Sequence, residues 1–111
     1  MPRTHLLTDF ELMILLATLR VGEAAYGVEI AREIERISGR RVLLGAAYAA
    51  LDRLEQGGLV TSRMGNSTPE RGGRAKRYFT VTPRGIAAVR NTQKALVALW
   101  KDVPQLRETR A

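Results

Sequence analysis

The spacing of apolar and polar residues along the chain predicts three helices before a β-hairpin. Thr8 and Glu11 form a capping-box pattern that starts a first helix, which runs to about Arg20. This helix is apolar on almost every face, which is typical of a helix that is covered on more than one side. A second helix is predicted over residues 26–38, where an isoleucine-rich stripe recurs at helical spacing.

The third helix is predicted over residues 45–56, with an inward stripe of Ala47, Leu51 and Leu54. Two short strands follow, at residues 59–64 and 76–81, because β-branched and aromatic residues are concentrated there. The residues between them are rich in glycine and polar side chains, which indicates a long loop at the tip of a hairpin.

A last, long helix is predicted to begin at Thr82, with Pro83 in its first turn, and to end before Pro104. Its apolar positions recur at alternating spacings of three and four, with one polar member, and this heptad seam predicts a dimer contact. The seam comprises Ile86, Val89, Gln93, Leu96, Trp100 and Val103. Packing within one subunit is the alternative for these residues.

The predicted fold class is therefore mainly α with a small β-hairpin (α+β). Residues 6–81 are predicted to form a winged helix-turn-helix domain, because two short helices with a short connection precede the hairpin. Residues 82–103 form the C-terminal dimerisation helix, and residues 104–111 a flexible tail.

Charge adds a candidate partner to this fold. The chain of 111 residues carries a net charge of +7, and the basic excess is concentrated in residues 40–80. A local cationic surface favours a polyanion such as double-stranded DNA. In a winged helix-turn-helix, one helix enters the major groove while the hairpin reaches neighbouring phosphates.

The candidate DNA contacts lie on the third helix and on the hairpin. They are Gly45, Ala46, Tyr48, Ala49 and Arg53 on the helix, and Arg71, Gly72, Gly73, Arg74, Lys76 and Arg77 on the hairpin. Tyr48 is predicted to contact DNA, with a core aromatic as the alternative. Arg53 either reaches a phosphate or pairs with neighbouring acidic residues.

Other classes of function are disfavoured by the residues present. The chain has no cysteine and a single histidine, His5, so neither a metal site, a cofactor nor an enzyme active site is predicted. The longest apolar run is too short to span a bilayer, and the N-terminus lacks a signal-peptide pattern, so a cytoplasmic protein is predicted. A winged helix that contacts only protein is the main alternative, and the basic hairpin counts against it.

Residues 44–60, with the sequence LGAAYAALDRLEQGGLV, resemble the recognition-helix signature of PadR-family transcriptional regulators. Tyr26-Gly27, the hairpin residues 72–79 and Thr82-Pro83-Arg84-Gly85 extend this resemblance over about residues 6–103. Two positions depart from it. Ala49 stands where many members have proline, and Ala46 where many have a hydroxyl residue.

The resemblance implies a homodimer that binds a palindromic operator and usually represses a nearby operon. It also implies that the last helix supplies the dimer contact, as in the small members with a single C-terminal helix. Some of these bind a planar aromatic effector between the subunits, at a position that matches Leu96 here. Trp100 lies one turn later, either in the dimer core, which we favour, or lining a central pore.

Overall fold

The computed structural model describes residues 6–65 and 76–107. The predicted wing-tip contacts Arg71, Gly72, Gly73 and Arg74 lie outside the described residues. The elements are α1 (Asp9–Val21), α2 (Gly27–Ser38), α3 (Leu44–Gln56), β1 (Val60–Met64), β2 (Arg77–Val81) and α4 (Pro83–Trp100), with 3₁₀ turns at Gly22–Ala24 and Pro104–Leu106. This architecture confirms the predicted fold class, a mainly helical chain with one antiparallel hairpin.

The two predicted helix starts are confirmed by hydrogen bonds. The Thr8 hydroxyl accepts from the Glu11 amide at 3.2 Å, while the Glu11 carboxylate accepts from the Thr8 amide at 2.8 Å. At the start of α4, the Thr82 hydroxyl accepts from the Gly85 amide at 3.0 Å. These side chains satisfy amides that the first turn of a helix leaves without partners.

The core lies between α1, α2, α3 and the hairpin. Its largest fully buried side chains are Ile14, Leu15, Ile30, Leu51 and Val60. The predicted inward stripe of α3 is confirmed, since Ala47, Leu51 and Leu54 are all buried. The opposite face of α3 is consequently directed away from the core.

The hairpin is joined to the helical core through the segment that precedes α2. β1 and β2 pair from Val60 opposite Val81 to Met64 opposite Arg77. The Phe79 amide then donates to the Ala25 carbonyl at 2.8 Å, and Tyr26 forms an isolated bridge with Tyr78. An isolated two-stranded hairpin is marginal in water, so this attachment fixes the base of the wing. We use "wing" for β1, β2 and the residues that connect them.

The last helix ends earlier than the seam predicts. α4 stops at Trp100, Lys101 is extended, and Asp102 is left-handed with φ of 62°. Val103, predicted as the last seam position, therefore lies outside the helix. The residue before a proline, here Val103, disfavours the helical conformation. The helix ends before Val103 is reached, and Asp102 adopts the left-handed conformation, which a short polar side chain tolerates better than most.

Candidate nucleic-acid interface

Small residues occupy three exposed positions in the first two turns of α3. Gly45, Ala46 and Ala49 are all exposed, and none carries a side chain longer than a methyl group. Leu43 precedes the helix, and its side chain cannot cap the first-turn amides. A surface of this kind allows the helix backbone to approach a partner closely.

Tyr48 lies at the edge of this face and is half-buried. Its ring packs against Phe79 on β2, with 6.5 Å between ring centroids, and covers Gly27 at the start of α2. A Cβ atom on Gly27 would lie 2.5 Å from Cζ of Tyr48. Tyr48 is therefore partly packed against the core, as in the core-aromatic alternative, and partly exposed beside the predicted contact surface.

Aromatic rings at the base of the wing hold two of its cations. Tyr26 and Tyr78 meet edge to face at 5.7 Å. Nζ of Lys76 lies 3.7 Å from the centroid of Tyr26, and the guanidinium of Arg63 lies 4.9 Å from that of Tyr78. Cation–π contacts of this type leave the charge available to solvent on its other side.

Arg77 occupies a different environment from the other wing cations. Its guanidinium donates to Asp52 at 2.9 Å and to Glu55, both on α3, and to the Ser62 hydroxyl on β1 at 3.2 Å. The carboxylates of Asp52 and Glu55 raise the pKa of Arg77 above its ordinary value. The hydrogen bonds from Ser62 and Arg77 in turn lower the pKa of Glu55. This predicted DNA contact is engaged by acidic residues of its own chain.

Three further arginines lie on or next to α3. Arg53 is exposed on α3 one turn after Ala49, on the same side of the helix, and it lines a groove between α3 and α4 together with Arg84. Arg40 and Arg41, in the connection between α2 and α3, were not assigned a role from the sequence. Arg40 donates to Asp9 at 3.3 Å, whereas Arg41 is exposed at the approach to α3. The sequence signal that could have indicated both arginines was the basic excess of residues 40–80, which includes them.

An apolar groove runs between α1 and α4 on another side of the molecule. Its volume is about 650 Å³. It is lined by Leu12, Leu16, Val89, Gln93, Leu96, Val97, Trp100 and Lys101. Leu96 is 47% exposed and Trp100 is 64% exposed. Apolar side chains that are exposed and close together in this way are typical of surfaces that bind a partner or a ligand.

The structure divides the predicted dimer seam into two parts. Ile86 and Val89 pack against the core of their own subunit, in keeping with the intrasubunit alternative. Gln93, Leu96 and Trp100 are exposed along the groove. The part of the seam that is open to a second subunit is therefore the C-terminal half of α4, together with the apolar side of α1.

The profile of the Transcriptional regulator PadR-like family matches residues 15–91. The chain belongs to this family. Transcriptional regulator Rv3488 of Mycobacterium tuberculosis is 36% identical to it over 78 residues, which are 70% of this chain and 68% of that protein. Membership in the PadR-like family implies DNA-binding regulation and confirms the prediction of a transcriptional regulator rather than an enzyme.

Solved structures share the fold at lower identity. A transcriptional regulator from Clostridium thermocellum, Cth-833, gives a TM-score of 0.71 at 23% identity, over 88% of this PadR-like chain and 92% of that chain. The PadR-like regulator BC4206 of Bacillus cereus gives 0.70 at 20% identity, over 91% and 93% of the two chains. The winged helix of this PadR-like protein is thus shared along almost its full length.

In residues 6–65 and 76–107, no helix is long and apolar enough to cross a membrane. The same ranges contain no group of three or more acidic or histidine residues that could hold a metal ion.

Proposed function

We propose that this PadR-like protein is a homodimeric repressor that binds a palindromic operator. The observation that carries the proposal is the exposed small-residue face of α3 beside a cationic wing. α3 lies in the major groove, and the wing lies along the flanking phosphates. The protein acts in the cytoplasm, where it occupies DNA upstream of the genes it represses.

On α3, the proposed contacts divide by chemistry. Gly45, Ala46 and Ala49 allow close approach, and a methyl group can pack on a thymine methyl. The uncapped first-turn amides and the hydroxyl of Tyr48 can donate to phosphate oxygens. Arg53, one turn after Ala49 on the same side of α3, contacts a phosphate of the DNA backbone. Since this face offers few bidentate partners for base edges, much of the sequence preference comes from DNA shape.

On the wing, the proposed contacts are electrostatic. Lys76 stands at the base of the wing, and the sequence places Arg71, Gly72, Gly73 and Arg74 at its tip, outside the described residues. Each cation that neutralises a phosphate releases condensed counterions, so affinity falls as salt rises. The wing therefore supplies affinity, and α3 supplies register on the sequence.

The proposed dimer forms through the groove between α1 and α4. A second copy of α4 lies along this groove and covers the exposed part of the seam, with Leu96 and Trp100 near its centre. Gln93 fixes the register of the two helices at some cost in stability. A two-fold dimer presents two copies of α3 about 34 Å apart, one turn of the double helix.

The proposal is tested by binding to the gene's upstream region and to a scrambled duplex of equal length across a salt series. We expect strong preference for the upstream region. If roughly six to ten phosphates are neutralised, log affinity falls against log salt with a slope of about −5 to −9. Equal, salt-sensitive binding to both duplexes would place the operator elsewhere. Absence of binding to either at low salt would favour the protein-contact alternative.

A planar aromatic effector is the second candidate partner, because Trp100 is exposed in a groove large enough for such a molecule. We place Trp100 in the dimer core and therefore expect planar cationic dyes to leave its fluorescence unquenched. Trp100 is the single tryptophan of the chain, so the signal has one source. Saturable quenching, lost in Leu96→Asp, would instead assign the groove to an effector.

A further inference from the structure

Arg77 joins three elements of the DNA-binding domain through one side chain. It stands at the first residue of β2, and its guanidinium donates to Asp52 and Glu55 on α3 and to Ser62 on β1. The Ser62 hydroxyl accepts from Arg77 and donates to Glu55 at 2.7 Å. Each nitrogen of the Arg77 guanidinium therefore donates one hydrogen bond within this network, and Ser62 links Arg77 to Glu55. We call these four residues the wing clamp.

The clamp is also connected to the proposed DNA surface. The Arg77 guanidinium lies 4.8 Å from the centroid of Phe79, whose ring packs against Tyr48. Arg77 and Glu55 are each only 32% exposed, so little water reaches the ion pair between them. A rotation of the wing relative to α3 would break the clamp and disturb the packing beneath Tyr48.

The surroundings of Arg77 disfavour a phosphate as its partner. Two carboxylates already stand against one guanidinium, so the local charge is negative and repels a phosphate. Lys76, the neighbouring residue, has no such carboxylates against it in the described ranges and packs on Tyr26 instead. Two adjacent cations of the wing therefore have different roles.

We propose that Arg77 is a positioning residue that fixes the wing against α3 and does not itself neutralise a phosphate. The inference rests on the proposed function, in which α3 and the wing grip one duplex together. Because α3 and the wing must contact the same rigid duplex, binding depends on their relative position. A side chain that is held by several hydrogen bonds can fix that position. As members of the wing clamp, Asp52, Glu55 and Ser62 have the same positioning role.

Three substitutions distinguish positioning from phosphate binding. Arg77→Lys keeps the charge but loses the planar fork that reaches both carboxylates, so we expect operator affinity to fall about tenfold, with an unchanged salt slope. Glu55→Gln and Asp52→Asn remove negative charge near DNA, which by electrostatics alone would tighten binding; we expect weaker operator binding in both. The matched control is Lys76→Met, for which the slope should become shallower by about 0.9.

Amide exchange of the wing strands, measured without DNA, supplies a second readout. Arg77→Lys and Glu55→Gln should expose the amides of β1 and β2 to faster exchange while the α1 and α2 amides stay protected. In the double variant, the losses in operator affinity should be less than additive, because both changes break one network. Operator binding by Arg77→Lys at wild-type strength, or tighter binding by Glu55→Gln, would overturn the proposal.

The experiments distinguish an error in the role of the wing clamp from an error in the DNA-binding proposal. If the wild-type protein binds no duplex at any salt concentration, the DNA-binding proposal falls, whereas wing exchange still tests the clamp. If the wild-type protein binds its operator and the wing of Arg77→Lys exchanges as slowly as in wild type, the clamp alone is wrong.

Discussion

Replacing Leu96 with aspartate is expected to convert the dimer into a monomer and to abolish tight operator binding. Leu96 lies in the apolar groove between α1 and α4 and is 47% exposed in the single subunit. In the proposed dimer it is covered, so an aspartate there would place a charge in a predominantly apolar contact. We expect the dissociation constant of the dimer to rise roughly a hundredfold or more.

The loss of DNA affinity follows from the loss of the second subunit. A dimer that holds one half-site binds the other at a high effective concentration, whereas a monomer gains nothing from the second half-site. Sedimentation should therefore report a single subunit, and the titration should show similar weak affinity for a full palindrome and for an isolated half-site. The cations of the wing are unchanged, so non-specific binding at low salt should persist.

Ala98→Asp is the matched control for this variant. It also introduces one aspartate into α4, but two residues along a helix corresponds to about 200°, on the side opposite Leu96. Ala98 is exposed and does not line the groove. This control should remain dimeric and bind the operator as wild type does. A dimeric Leu96→Asp protein with unchanged operator affinity would show that the subunits meet through another surface.

The sequence predicted the elements of this fold well because their ends carry local chemistry. Thr8, Glu11 and Thr82 cap their own helices, and Gly39 ends α2 in the left-handed conformation that glycine adopts without strain. The burial of one stripe of α3 follows from the helical spacing of its apolar residues, whichever element packs against it. Local rules therefore sufficed to place nearly every helix and strand.

The functional details depend on contacts between residues far apart in the chain, and local rules do not reach them. Arg77 meets Asp52 and Glu55 across separations of 25 and 22 residues, and the basic segment around Arg77 gives no sign of these two contacts. Periodicity likewise assigned Val103 to the seam, although the chain leaves the helix after Trp100. The division of the seam between core and groove needed the position of α1.

Gly27→Val is expected to destabilise the protein by about 3 kcal/mol and to displace the ring that borders the proposed DNA surface. A Cβ atom at Gly27 would lie 2.5 Å from Cζ and 2.7 Å from the hydroxyl oxygen of Tyr48. The ring cannot retreat freely, because Phe79 packs on it and is itself only 2% exposed. The valine must therefore push Tyr48 toward solvent or open the contact between α2 and α3.

Gly45→Val is the matched control, since Gly45 also lies in the first turn of a helix but has no atom within 4 Å of a Cβ. Denaturant unfolding should show a change of less than about 1 kcal/mol for this variant, which reflects helix propensity alone. Operator affinity should still fall, because the new side chain stands on the small-residue face of α3. Stability and DNA binding thus separate at Gly45, whereas Gly27→Val impairs both.

A second change identifies Tyr48 as the cause. In a Tyr48→Ala background the ring is absent, and Gly27→Val has space, so its cost in free energy of unfolding should shrink to about 1 kcal/mol or less. An undiminished cost in that background would show that the strain lies in the α2 backbone. If the cost vanishes while operator affinity stays low, Tyr48 belongs both to the packing of α2 against α3 and to the surface that meets DNA. That is the double placement expected of a half-buried aromatic residue with a polar tip.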